Sequence, residues 1–420
     1  MPGLVERVAP ARLGRSFRWL LGATWTANLG DGFALAAGPL LVERLAGSPF
    51  LVALAATLQW LPPLAFGLAA GVVTDRVDRR QVVIVVGLVR VVVLGVLVAA
   101  VLTHVVGIAL VLLALFALGV AEVFGDNAET TLLPTLVARD DLALGNARLL
   151  GGFITLQNLA GPPLGAVLFA LGAAWPFAAQ AVLLVASVTL IARVVLPPAP
   201  ERRPAAAHRE IVEALRWTWA HANVRTLVLT ILLFNVTYGA AWSVLVLYAT
   251  RRLGLGAFGY GAITAVIAAG GIVATLGYGA LTRRVPLATL MRVGLLVETA
   301  THLALALTTT PWVAYVVFAV FGAHAFVWGT TSITVRQRAV PRDLQGRVNS
   351  VNTVATFGGL VVGSTLGGAL ADALGVVAPF WFAFAGSAVL VVALWRQLAH
   401  IAHADAAGGP ASAQPRTGAA

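Results

Sequence analysis

The chain has 420 residues, of which 59% are hydrophobic and only 11% are charged, and its formal net charge is +11. Because a soluble globular protein carries about 25% charged residues, this composition indicates a polytopic membrane protein. All basic residues are arginine and cysteine is absent, which excludes a Walker A phosphate loop, a lysine Schiff base, a disulfide and a thiolate metal site. The sequence therefore predicts no cofactor and no metal.

Apolar runs of about 20 residues, long enough to cross a bilayer, predict twelve transmembrane helices. They begin near residues 19, 49, 81, 105, 146 and 174 in the first half and near 225, 257, 288, 311, 347 and 376 in the second. The longest polar break, with Glu210, Glu213, Arg216 and Trp217, predicts a short amphipathic helix at the membrane surface. The predicted domains are an N-terminal six-helix bundle (1–195), a cytoplasmic linker (196–223), a C-terminal six-helix bundle (224–400) and a disordered tail (401–420).

Twelve spans threaded through a bilayer place nearly all arginines on one side. The exceptions are Arg44, Arg251 and Arg252 on the other side and Arg90 within a span. Because arginine-rich loops are retained in the cytoplasm, both termini are predicted to be cytoplasmic in a protein of the inner (cell) membrane. The basic excess then indicates contact with anionic lipids and no nucleic-acid partner.

The two halves of the sequence repeat. Asn28, Gly32, Arg44 and Gly47 recur at one constant offset, as do Val137, Arg139 and Asp140 at another; their counterparts are Asn235, Gly239, Arg251, Gly254, Val340, Arg342 and Asp343. Single identities between small residues prove little, but shared offsets in equivalent spans and loops predict two structurally similar halves.

The loop between the second and third spans carries five charges in the decapeptide Gly71-Val-Val-Thr-Asp75-Arg76-Val-Asp78-Arg79-Arg80. It resembles the G-x-x-x-D-R-x-G-R-R signature of the major facilitator superfamily, with Asp78 in place of the usual glycine, as in the macrolide- and enterobactin-exporter-like branch. The resemblance covers residues 19–396 and implies an all-α membrane fold of two pseudo-symmetric six-helix bundles that enclose a substrate site near the midplane.

The same resemblance implies a conformational latch on the cytoplasmic side, built from the loop and the fourth span. Asp75 would cap the start of the eleventh helix, where an anion is stabilised by the helix dipole. Loop arginines would pair with a fourth-span acid. The predicted latch residues are Gly71, Asp75, Arg76, Arg79, Arg80, Asp126 and Glu129.

Charged side chains within the spans are costly, at least about 2.5 kcal/mol each at the bilayer centre. Thr24, Asn28 and Asp31 share one face of the first span, and Asp31 lies roughly 18 Å along it. Asp31 and Glu122 are therefore candidates for proton coupling, although Asp31 could also be a structural acid neutralised by a neighbouring helix. Glu122, at similar depth to Arg90 on the adjacent span, is also the predicted partner of Arg90 in a structural ion pair.

In this family the first, fourth, seventh and tenth spans line the cavity. The resulting cavity or substrate candidates, together with two polar residues of the fifth span, are Asn28, Asp31, Gln157, Asn158, Asn235, Tyr238, Trp242, His324 and Trp328. Helix packing is the alternative role for these aromatic residues and for His324. Glu298 and His302, four residues apart on the ninth span, are expected to satisfy each other.

The fifth span contains Gly161-Pro162-Pro163-Leu-Gly165. This run resembles the core of the antiporter motif G-P-x-x-G-G of proton-coupled exporters, with Ala166 in place of the last glycine. Glycine and proline at these positions permit a close helix contact and a kink.

Together these features predict a monomeric secondary transporter that exports a small amphipathic molecule, such as a drug, macrolide or siderophore, by proton antiport and alternating access. Its expected partners are the small-molecule substrate, protons and the lipid bilayer. Uptake of a nutrient or movement of a lysolipid by the same fold is an alternative. An integral-membrane enzyme or a receptor is less favoured, because the sequence has no H-E-x-x-H or G-x-S-x-G motif and no sizeable soluble domain.

Overall fold

In the computed structural model, the residues described are 6, 9–196, 216, 218–340 and 344–401. Twelve long helices, α1 to α12, account for most of this part of the chain, and it contains no strand. The first six, here the N-half, are Arg15–Leu45, Pro49–Arg76, Arg79–Leu102, Ile108–Leu136, the composite helix α5 of residues 142–171, and Trp175–Ile191. The C-half consists of Ala222–Trp242, Ala257–Arg284, Leu287–Leu307, Pro311–Ala339, Gln345–Leu374 and Ala378–Ile401. Each predicted span coincides with one of these helices, so the predicted fold class is confirmed.

Ten segments of the described chain are long and apolar enough to cross a membrane. One of them, Arg139–Leu171, consists of α5 and the short turn that precedes it. The two remaining helices are α6, which is apolar but only 17 residues long, and α1, which carries several charges along its 31 residues. The predicted linker lies outside the described residues except for residues 196, 216 and 218–223, and the predicted tail lies outside them except for residue 401.

Asp78 explains why the chain re-enters a helix so abruptly after the charged loop. It is the N-cap of α3, and its carboxylate accepts hydrogen bonds from the backbone N–H groups of Arg80 (2.8 Å) and Gln81 (3.4 Å). An N-cap carboxylate satisfies amide groups that have no partner within the helix. The residue that departs from the family signature therefore has a local structural role.

Helix packing repeats between the halves. Within the N-half, α1 packs on α5 and α6, α2 on α4, and α3 on α4 and α6. The C-half has the equivalent contacts, α7 with α11 and α12, α8 with α10, and α9 with α10 and α12. The halves meet mainly through α2 with α11 and α5 with α8, which are also equivalent pairs. This pattern matches the repeat found in the sequence.

The halves are joined differently at their two ends. We call the end where α1 begins and α4 ends the terminal face, and the other end the opposite face. Around the opposite face one apolar core includes residues of both halves, among them Leu41, Val111, Leu247 and Phe380. Near the terminal face, each half has apolar cores of its own. Within the described residues, the two halves therefore seal against each other at the opposite face and separate toward the terminal face.

Two polar contacts reinforce the sealed end. Thr250 donates a hydrogen bond to the Glu43 carboxylate at 2.7 Å, and the hydroxyls of Thr57 and Thr365 lie 3.4 Å apart. Glu43 and Thr250 are adjacent to Arg44 and Arg251, which are repeat counterparts. The Glu43–Thr250 contact therefore joins equivalent positions of the two halves.

Candidate functional site

The site is organised around Asp31 in the middle of α1. The glycine on its C-terminal side permits a very close helix contact: a Cβ atom on Gly161 of α5 would lie only 2.5 Å from the Cα of Gly32. On the other side of Asp31, Gly30 packs against Gln180 of α6. Asp31 is thus held between α5 and α6, and the Gly-Pro motif of α5 contributes directly to its position.

Asp31 forms a mostly buried ion pair with Arg90 of α3. Arg90 donates from Nη2 to Asp31 Oδ1, and Gln180 donates from Nε2 to the same oxygen at 2.9 Å. The exposed fractions of the Arg90 and Asp31 side chains are 11% and 13%. The predicted pairing of Arg90 with Glu122 is therefore wrong about the partner. Because α6 packs against both α1 and α3, it brings the long arginine side chain within reach of α1.

An acidic cavity of about 380 Å³ lies beside this ion pair, and all its lining residues belong to the N-half. Its charged residues are Asp31, Arg90, Glu122, Asp126 and Glu129. Thr24 donates a hydrogen bond to the Glu129 carboxylate. Four carboxylates thus face one guanidinium, so the cavity has an excess of negative charge when its acids are ionised. Buried carboxylates without a matching cation are costly, and protons or a cationic solute would offset this excess.

Helix α5 places two adjacent polar side chains in different cavities. It comprises Leu142–Gly152, a π-helical segment Phe153–Ala160, and Gly161–Leu171. Only Gly161 separates the π-helical segment from Pro162 and Pro163, which have no N–H to donate to the preceding turn. Gln157 lines the acidic cavity, whereas Asn158 lines a second cavity between the halves. π-Helical turns often occur at functional sites.

The second cavity, here the inter-half cavity, has a volume of about 320 Å³ and is lined by both halves. Its aromatic residues are Trp60, Tyr238, Trp242 and Tyr260. The two cavities are neighbours along α1 as they are along α5. Leu35 lines the inter-half cavity and lies one helical turn beyond Asp31, which lines the acidic cavity. One cavity is thus lined by carboxylates and the other by aromatic rings, and they lie about one helical turn apart along α1.

Three of the predicted cavity residues lie elsewhere in the C-half. Asn235 donates to the Ile231 carbonyl at 2.7 Å, and the Trp328 ring stacks on Phe234 with centroids 5.1 Å apart. His324 contacts the buried Glu298 at 3.2 Å. In this conformation none of the three lines either of the two cavities, and their aromatic and hydrogen-bonding contacts favour the alternative role in packing.

The charged loop makes contacts within the N-half. Arg79 donates to the Thr131 carbonyl of α4 at 3.3 Å, and Arg80 donates to the Ala192 carbonyl after α6. Arg76 is exposed, and the Asp75 side chain lies outside the described part of the structure. Asp126 and Glu129 face the acidic cavity instead. Among the described side chains, no ion pair joins this loop to α4, so the latch stays a prediction for the state in which the terminal face closes.

Sequence reasoning missed Gln180, the third member of the Asp31 cluster. It is only 2% exposed and is the single amide side chain of the largely apolar α6, in which Ser187 and Thr189 are the other polar residues. A single amide within an apolar span was the available signal, because such a group needs a partner in the membrane. Its partner lies on α1, which is distant in sequence, and one span alone could not identify it.

Comparisons with known proteins agree with this architecture. The model of the "transmembrane secretion effector" family matches residues 6–416. The multidrug efflux pump Tap of Mycobacterium tuberculosis is 30% identical over 378 residues, which cover 86% of this chain and 88% of Tap. The enterobactin exporter EntS of Salmonella typhimurium is 26% identical over 84% of this chain and 85% of EntS.

Solved structures support the fold. A bacterial homologue of the iron transporter ferroportin in an inward-facing state superposes with a TM-score of 0.73 at 18% identity, over 91% of this chain and 98% of that chain. The nucleoside transporter NupG (D323A mutant) gives 0.74 at 12% identity, over 91% and 100%. From the family match, the relatives and the fold together, the chain belongs to the transmembrane secretion effector family of the major facilitator superfamily, and it is a multi-pass membrane transporter, not an enzyme.

Proposed function

We propose that the protein exports a small amphipathic cation in exchange for protons. The observation that carries this proposal is the acidic cavity, which holds four carboxylates against one guanidinium and adjoins an aromatic cavity between the halves. The names of the relatives, a multidrug efflux pump and a siderophore exporter, support the export direction.

Proton exchange follows from the charge balance of the acidic cavity. Asp31 is engaged by Arg90 and Gln180, and Glu129 by Thr24. Glu122 and Asp126 line the same space as Arg90. A bound cation and bound protons would neutralise the same carboxylates, so each would favour release of the other. Such competition for one site couples the two movements in opposite directions.

The inter-half cavity would hold the apolar part of the solute. A cationic group near an aromatic face gains roughly 0.5–2 kcal/mol, and Trp60 and Trp242 offer such faces from opposite halves. A solute bound there touches both halves, so it can influence how they rock against each other. The amphipathic character of the proposed substrate rests on this pairing of charged and aromatic linings.

The proposed cycle alternates the exposed face. The described conformation, sealed at the opposite face, would receive solute from the terminal face. We propose that the terminal face is cytoplasmic in the cell membrane, as the arginine distribution indicates, and that the protein acts as a monomer. Closure of that face would bring the loop Gly71–Arg80 against the C-half, where Asp75 would cap the start of α11. The arginines of the loop would then lie near Asp126 or Glu129 of α4. Basic residues at this face would contact anionic lipids.

The proposal can be tested with everted membrane vesicles and ethidium as a fluorescent probe cation. An outward-directed proton gradient, with the vesicle interior acidic, should drive accumulation of ethidium by the unaltered protein, and Asp31→Asn and Glu122→Gln should each reduce the pH-driven rate at least tenfold. Asp141→Asn, at a partly exposed carboxylate outside the acidic cavity, is the matched control and should keep the rate.

Two controls separate coupling from folding. Protein amount and monodispersity are measured for each variant, and Glu122→Gln leaves the Arg90–Asp31 hydrogen bond intact. If both cavity variants transport ethidium with unaltered pH dependence, the assignment of coupling to Asp31 and Glu122 is wrong. Accumulation in right-side-out vesicles but not in everted ones would identify uptake in place of export.

A further inference from the structure

The interior of the C-half contains a second cluster of ionisable groups, separate from the acidic cavity. On α9, His302 Nε2 lies 3.0 Å from Glu298 Oε1; on α10, His324 Nε2 lies 3.2 Å from Glu298 Oε2. Glu298 and His302 have no exposed surface, and His324 is 8% exposed. One carboxylate is thus held between two imidazoles, each on a different oxygen.

We propose that Glu298, His302 and His324 form a proton-binding site within the C-half. It goes beyond the proposed function, because it does not depend on whether Asp31 or Glu122 couples transport. The carboxylate accepts hydrogen bonds, so each Nε2 that faces it carries the proton. The opposite ring nitrogen, Nδ1, then holds a lone pair. His302 Nδ1 is buried and has no hydrogen-bond partner, so it is a free basic atom.

The charge of the cluster sets how many protons it takes up. With both imidazoles neutral, the three groups carry one negative charge. A proton that binds at Nδ1 of either histidine makes the cluster neutral as a whole, with an imidazolium beside the carboxylate. A second proton would leave a net positive charge in an apolar interior, which is costly. The cluster therefore exchanges one proton shared between two histidines.

Few other ionisable groups face the cluster. From α7, the Tyr238 phenol lies within electrostatic reach of the Glu298 carboxylate. Most of the remaining ionisable side chains on these helices are arginines that lie near the terminal face. On α7 to α10 and α12, the described ones are Arg225, Tyr260, Tyr278, Arg283, Arg284, Arg292, Tyr315, Arg336, Arg338 and Arg396. Arg292, six residues before Glu298, is about 9 Å away along the helix axis, and it is bonded to the Trp395 carbonyl.

The cluster is next to the inter-half cavity. The Trp242 ring lies edge-on to His302 with centroids 5.8 Å apart, and the same Trp242 lines that cavity. One aromatic ring therefore separates His302 from the space between the halves.

The proposal is tested by NMR of the full chain, labelled with ¹⁵N-histidine and reconstituted in lipid nanodiscs, between pH 5 and pH 9. The chain has seven histidines, so His302→Gln and His324→Gln assign the relevant signals. We expect the signals of the two histidines to change together from those of neutral imidazole to those of imidazolium. The summed change should correspond to the uptake of one proton by the pair. Glu298→Gln should abolish that shared transition, whereas His104→Asn, at an exposed turn residue with φ of 59°, should leave it intact. Asparagine is chosen there because it tolerates positive φ.

Two results would overturn the proposal. The first is that the signals of His302 and His324 in the unaltered protein show neutral imidazoles throughout the pH range. This result does not depend on whether a Glu298 variant folds. The second is that the transition persists unchanged in Glu298→Gln. Neither readout involves transport, so a failure of the proposed export function would leave this test valid.

Discussion

Asp31→Asn tests whether the Arg90–Asp31 pair holds the N-half together. The substitution keeps the size of the side chain and removes its charge, which leaves Arg90 with no directly bonded anion in a site where both side chains are nearly buried. Removal of one partner of a buried ion pair costs about 3–5 kcal/mol. The equilibrium constant for unfolding should therefore rise by roughly two to four orders of magnitude, at about 1.4 kcal/mol for each tenfold change.

The assay is reversible unfolding by sodium dodecyl sulfate in mixed micelles, followed by loss of helical circular dichroism. Asp141→Asn makes the same chemical change in the pair Arg12–Asp141, whose side chains are 66% and 20% exposed, and should cost no more than about 1 kcal/mol. Arg90→Met and the double variant complete a thermodynamic cycle. The cost of the double variant should be at least about 2 kcal/mol below the sum of the two single costs. The reasoning is refuted if Asp31→Asn is no more harmful than Asp141→Asn, or if Glu122→Gln shows the larger coupling to Arg90.

Three further substitutions probe packing, capping and the sealed face. Gly161→Ala inserts a methyl group against the Gly32 backbone and should cost about 1–3 kcal/mol in the same unfolding assay, whereas Gly151→Ala on the same helix, with open space around it, should not destabilise. Asp78→Ala should cost about 1 kcal/mol, but Asp78→Gly, the residue usual in the family, only a few tenths. Glu43→Ala removes a hydrogen bond to a charged group, worth about 1.5–3 kcal/mol, and distances between spin labels should show a larger population open at the opposite face; Glu43→Gln should keep most of the closed state.

The sequence was sufficient to predict the fold, because each span is marked locally by an apolar run of bilayer length and by arginines at its ends. Each predicted span coincides with a helix, and Pro49 and Pro311 mark helix starts that were predicted at the same residues. Side-chain partners were harder to predict, since they depend on which helices are neighbours in space. The depth of Arg90 was estimated from its span, but its partner was decided by α6, which packs on both α1 and α3.

The C-half cluster illustrates the same limit. The spacing of Glu298 and His302 predicted that they would satisfy each other, and the structure confirms this contact. His324 was interpreted as a cavity residue or a lone packing residue, because nothing in its own span pointed to α9. The packing of α9 on α10 joins it to the same carboxylate. Periodicity within a helix was thus sufficient for one contact and insufficient for the other.

The contrast between the two faces constrains the transport cycle. The opposite face is sealed by an apolar core shared by both halves, and by the hydrogen bond from Thr250 to Glu43. To open that face, the protein must give up this core, so another contact has to compensate if the two states are to differ by only a few kcal/mol. On the terminal face, the charged loop now bonds only within the N-half among its described side chains. Its arginines and Asp75 are therefore the groups from which we expect the compensating contacts, which is a physical reason for placing so many charges in one short loop.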